Sequence, residues 1–149
     1  MQYVIIIIRV SHLSDNRRSN MKSYEFIREC GVIYLATINE QYPAIRPLGA
    51  VIEFENKIYF TVCAPKNVFY QLKANENVQV IAHKQGTMDW LRITANAVET
   101  TDVKAKQAML DARPRLAERF KADDPAFSVF ALENKQAIMY SQGKAEEIE

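Results

Sequence analysis

"KIYFTVCAPKNVFYQLKANENVQVIAH", residues 57–83, is the stretch on which the reading of the chain turns. An alternating strand runs into Thr61, and a short loop then carries Pro65, Lys66 and Asn67. Val68, Phe69 and Leu72 next mark one side of a helix, and a second strand follows. Pro65 suits the first turn of that helix, where its missing N–H costs nothing. The free N–H groups of the turn, the positive end of the helix dipole and the Lys66 ammonium then gather near one point, a good place for a phosphate. Arg46 reaches the same point if the hairpin of residues 43–62 is in register, adding a bidentate fork to a point charge. Spacing alone leaves a second reading equally open, with Lys66 and Arg46 as solvated surface cations.

The flanking segments set this unit among antiparallel strands. "SYEFIRECG" is a short helix with Ser23 as its cap and Gly31 as its stop. "VIYLATIN" is apolar on both alternating sets, which predicts a strand buried on two sides. "NEQYP" turns the chain into "AIRPLGAVIEFE", the next strand, with Glu55–Asn56 as the hairpin tip. Pro47 cannot donate to a ladder and Gly49 lets a backbone or ligand come close, so this strand lies at an edge or bulge. "NVQVIAHKQ" and "DWLRITANAVETTD" are further strands, while "VKAKQAMLDAR" and "RLAERFKADDP" are helical pieces separated near Pro114. "AFSVFALEN" and "KQAIMYSQG" read as a closing hairpin. So many hairpin-linked strands in a small domain point to a barrel, because closure removes exposed edges.

Composition narrows the function. The chain has 149 residues, 48% of them hydrophobic, enough for one domain with a real core. Its 19 basic and 18 acidic side chains leave a net charge of +1, which excludes a nucleic-acid or membrane-surface footprint. Cys30 and Cys63 are too few and too far apart for a disulfide framework or a metal site, and read as reduced thiols of a cytoplasmic protein. "YVIIIIRV" is too short to span a bilayer and is broken by Arg9, so residues 1–20 read as an accessory leader and residues 21–149 as the domain. His12 lies in that leader, His83 is a core or interface histidine, and no nucleophile–base set appears. Catalytic side chains are therefore unassigned.

The series from "YLATINEQYPAIRPLGAVIEFENKIYFTVCAPKN" through "WLRITANAVE" to "FSVFALENKQAIMYS" resembles the pyridoxamine 5′-phosphate oxidase-like family. The resemblance covers residues from about 24 to 142. It implies a mostly β (α+β) fold, an antiparallel split β-barrel of about six to seven strands with three to four peripheral helices. It also implies a homodimer with FMN at the subunit interface. Carried over, Arg46, Pro47, Leu48 and Gly49 lie along the flavin and its ribityl chain, and Thr61 and Val62 follow at the next strand end. Lys66 and Asn67 hold the phosphate, and Trp90 and Arg92 approach from the other subunit. The implied function is that of an FMN-dependent oxidoreductase acting with a small-molecule substrate or reductant. Two alternatives are a non-catalytic flavin store and a barrel that holds haem or a deazaflavin. "SQGKAEEIE" lacks the Arg-containing extension with which the vitamin B6 oxidases hold their substrate, so the substrate stays open.

Overall fold

The computed structural model describes residues 21–149; the 1–20 leader, with His12, lies outside the described residues. The elements run α1 (Lys22–Cys30), β1 (Ile33–Asn39), β2 (Tyr42–Leu48), β3 (Val51–Phe54), β4 (Lys57–Thr61) and α2 (Asn67–Ala74). They continue as β5 (Asn77–His83), β6 (Trp90–Glu99), α3 (Val103–Ala112), α4 (Pro114–Ala117), β7 (Val129–Ser141) and β8 (Lys144–Ile148). The strands form one antiparallel sheet in the order β2-β1-β5-β6-β7-β4-β3, with β8 added beside β7. This is the mostly β split barrel expected, with its helices at the periphery.

Local chemistry accounts for most boundaries. Gly31 takes a left-handed φ of 76° and returns its N–H to Ile27 O at 2.9 Å, ending α1. Glu55 and Asn56 both have positive φ, 48° and 62°, the geometry of a two-residue hairpin turn whose twist matches its strands. Asp102 caps α3 by accepting from the Lys104 N–H at 2.9 Å.

Two cores lie on the two sides of β4. Ile58 and Phe60 join Leu35, Val80, Leu91 and Ile93 inside the barrel, where α2 inserts Val68 and Leu72. Tyr59 faces the other way, onto Met109 and Leu110 of α3 and onto Phe127. β4 and the first four residues of β7 (Val129, Phe130, Ala131 and Leu132) are thus buried on two sides.

Four expectations are corrected. β1 is buried on one face only: Ile33, Leu35 and Thr37 point inward, whereas Tyr34 and Ile38 stay exposed because none of the described residues covers that side. "AIRPLGAVIEFE" is two strands, broken at Gly49–Ala50 by a tight turn in which Val51 N–H donates to Gly49 O at 3.2 Å. Arg113 Nη2 pins that turn by donating to Gly49 O at 3.0 Å and Val51 O at 2.9 Å. The closing hairpin is instead one continuous strand, β7, since Asn134 (φ 50°) absorbs an extra residue as a bulge where the β6–β7 register shifts. The chain reverses later, at Gln142–Gly143, into β8. Ser23, finally, caps nothing. It is fully buried inside the first turn of α1, where its hydroxyl accepts from Lys135 Nζ at 3.2 Å. The α1 N-terminus is met by the Glu149 carboxylate, which accepts from the Lys22 and Ser23 N–H groups and suits the positive end of the helix.

Candidate anion site between β2 and α2

Arg46 stands opposite Leu35 in the β1–β2 ladder, and directly opposed residues share a face, so its side chain lies on the inner side of the sheet. There it meets α2. Nη1 donates to Thr37 Oγ1 at 2.7 Å and to Leu35 O at 3.2 Å, and Nη2 donates to Gln71 Oε1 at 2.7 Å. The Thr37 hydroxyl donates to the same Gln71 oxygen at 2.6 Å, closing a ring. All three acceptors are neutral. Burial pushes the guanidinium pKa below its ordinary value. Among the described residues Arg46 has no carboxylate partner, in contrast to Lys57, Lys73 and Lys84, each paired with a glutamate.

The mouth of α2 lies on the same helix. Lys66 is its N-cap, with extended backbone (φ −67°, ψ 143°), no side chain caps the helix, and the first turn holds no acidic residue. Lys66 N–H donates to Cys63 O at 3.2 Å and Phe69 N–H to Lys66 O at 3.0 Å, which tightens the entry. Pro65 precedes the N-cap and does not occupy the first turn, a correction; its bond to Ala64 is cis. Gln71 stands about 7.5 Å along the axis from Lys66, at 1.5 Å per residue. Asn67 lies on the Gln71 side of α2, one turn earlier. Lys66 and Asn67 are both exposed.

The remaining predicted residues divide between the two faces of the sheet. Leu48 is half-buried on the inner face with Arg46, while Pro47 pairs with Tyr34 on the outer face. Gly49 is exposed, and a Cβ there meets nothing within 4 Å, so the approach to this backbone is open. Thr61 is buried and donates its hydroxyl to Ser128 O at 2.6 Å, and Val62 belongs to the inner core. Trp90 and Arg92 lie on the outer face: Arg92 pairs with Ile81, which pairs in turn with Tyr34. Trp90 stacks on Tyr140 at 3.9 Å, and Arg92 Nη2 donates to the Tyr140 hydroxyl at 2.5 Å. His83 is exposed rather than buried, with Nε2 at 2.9 Å from Thr87 O, so the core half of that expectation is corrected. Among the described residues no His, Cys, Asp and Glu group is placed to hold a metal.

Sequence reasoning missed Thr37, Gln71 and Tyr140. Gln71 carried one signal, its spacing of one helical turn from Asn67; Thr37 carried none, because its role depends on a helix more than 30 positions away.

One antiparallel sheet of hairpin-linked strands with four helices around it defines the class of split β-barrel proteins. Residues 21–140 match the pyridoxamine 5′-phosphate oxidase family, and the chain belongs to that family. It is similar to a NimC/NimA family protein from Clostridium acetobutylicum, with 31% identity over 85% of this chain and 88% of that one, at a TM-score of 0.77. A second C. acetobutylicum protein, related to general stress protein 26 of the pyridoxinephosphate oxidase family, shares the fold (15% identity, 85% and 91% covered, TM-score 0.69). A heme binding protein from Mycobacterium smegmatis shares it as well (16% identity, TM-score 0.64); 82% of this chain matches 54% of that one. No curated protein sequence matches the chain. No helix of the described residues is long and apolar enough to cross a membrane.

Proposed function

We propose that the protein binds FMN, with the phosphate held by Arg46, Lys66 and Asn67, and acts as a cytoplasmic oxidoreductase on a small substrate. The observation that carries this reading is Arg46: a half-buried cation whose partners are all neutral and whose charge burial disfavours. A buried charge is ordinarily paired. A phosphate dianion at the α2 mouth supplies the missing counter-charge, with Lys66 as a second cation and the helix end as a dipole. Bound FMN would supply the hydride or electron chemistry. The chain's own part is to grip and orient.

The absorption spectrum of the purified full chain is the first test. Flavin bands support the reading; a Soret band supports the haem alternative, for which His83 would have to leave Thr87 O. Lys66→Ala is expected to weaken FMN binding about tenfold, since a hydrogen bond to a charged group is worth about 1.5–3 kcal/mol. An unchanged dissociation constant removes Lys66 from the site. Stopped-flow reduction by NADH or NADPH, followed by reoxidation, separates an oxidoreductase from a flavin store.

The same proposal includes a homodimer built on the outer face of β2-β1-β5-β6. Ile45 is 66% exposed and Tyr34 47% exposed, and Ile38 and Ile81 adjoin them through the register. An apolar sheet face of this kind marks an interaction surface. It also adjoins Pro47, Trp90 and Arg92, the predicted flavin contacts that share no face with Arg46. Ile45→Glu is expected to convert a dimer to a monomer in light scattering, and a wild-type monomer at micromolar concentration removes this part of the proposal.

A further inference from the structure

Arg46 presents an asymmetric set of donors. A guanidinium has five N–H groups in a fixed plane. Both hydrogens of Nη1 are used, by Leu35 O and Thr37 Oγ1, and one of Nη2 goes to Gln71 Oε1. Because Thr37 also donates to that Gln71 oxygen, the ring Nη1–Thr37–Gln71–Nη2 grips the far edge of the guanidinium. Two donors remain, Nε–H and the second Nη2–H, which lie parallel along the side edge. Nε has no protein partner, yet among the described residues Arg113 Nε is the only buried side-chain nitrogen or oxygen without one. Arg46 Nε is therefore not sealed from solvent, and no described protein group takes it. Parallel donors of this kind match two oxygens of a phosphate.

We infer that Thr37 and Gln71 are positioning residues, which hold Arg46 by its far edge so that its Nε–Nη2 edge is presented as a fork to the phosphate. The inference rests on the anion-site reading above and extends it to two residues that need not touch the ligand. Fixing the fork before binding removes the cost of ordering a long side chain at the moment of association. Gln71 does this from α2 and Thr37 from β1. A carboxylate at either position would neutralise Arg46, whereas neutral acceptors leave its charge for the ligand.

The test titrates FMN and riboflavin, which differ by the phosphate, against the full chain and its variants. Wild type is expected to prefer FMN. Thr37→Val and Gln71→Met, both close to isosteric, are each expected to reduce that preference about five- to tenfold, the worth of orienting a charged hydrogen bond. Thr37→Ser, which keeps the hydroxyl, is expected to retain it within about twofold of wild type. In an Arg46→Ala background Gln71→Met is expected to change nothing further, since no fork is left to position. Riboflavin affinity reports the folded pocket in every variant. A parallel loss of both flavins in Thr37→Val and Gln71→Met shows a merely structural role and overturns the inference, as does an undiminished FMN preference in both. Equal affinity of wild type for the two flavins overturns the anion site itself.

Discussion

Arg46→Ala is expected to lower FMN affinity about a hundredfold while leaving riboflavin affinity within about twofold. The variant removes two open donors together with the charge behind them. At about 1.5–3 kcal/mol for a hydrogen bond to a charged group, and about 1.4 kcal/mol per tenfold, a two-donor fork accounts for about two decades. Arg46→Lys keeps a positive point charge but cannot span two phosphate oxygens or reach both Thr37 and Gln71 as a planar group. It is expected to recover about one of those decades. Fluorescence quenching of each flavin on titration with protein measures both constants. The variant also strips a donor from Leu35 O, Thr37 Oγ1 and Gln71 Oε1, so a melting curve must accompany the titration. If FMN and riboflavin weaken equally, Arg46 supports the fold and binds no phosphate.

The largest expected effect on stability belongs to Phe60→Ala. Phe60 is fully buried in β4, and its ring stacks on Phe130 with centroids 5.7 Å apart. Phe130 in turn meets Phe69 of α2 edge to face at 6.2 Å, so the aromatic chain runs from the barrel interior to the helix that carries Lys66 and Gln71. Truncating a core phenylalanine costs about 3–5 kcal/mol in lost burial and residual cavity. For a chain of this length that is a fall in Tm of roughly 10–15 °C. Tyr70→Ala, one residue along α2 from Phe69 but on an exposed side chain, is expected to move Tm by no more than about 2 °C. A Phe60→Ala melt within a few degrees of wild type would falsify the placement of this residue in the core. Because α2 loses part of its seat, FMN affinity should fall with Tm in this variant, and riboflavin affinity with it.

The residues show why some of this architecture was legible in the sequence and some was not. Gly31, the Glu55–Asn56 turn and the β4–loop–α2 unit are encoded within a few positions of one another. Each depends on a dihedral preference or a short-range period, which the order of the amino acids carries by itself. Asn134 shows the limit of such local signals. Its left-handed φ is as good a signal for a turn as for a bulge, and only the β6 partner, which continues past it, makes it a bulge. Ser23 is a similar case: a good capping residue in isolation, displaced from that role because Glu149 arrives from the other end of the chain.

At the site, the cations came from the sequence and their arrangement did not. Alternation and turn signals were enough for hairpin-linked antiparallel strands and for Lys66 at a helix mouth, because those features rest on side-chain type and neighbours close along the chain; the role of Arg46 came only from the family resemblance. The ring that Thr37 and Gln71 close around Arg46 arises only when β1, β2 and α2 meet across an inner sheet face. The division of Arg46 from Pro47, Trp90 and Arg92 onto opposite faces has the same origin. A period of two along a strand says that neighbours alternate. Which side becomes the interior is decided by the strands and helices that come to lie against it.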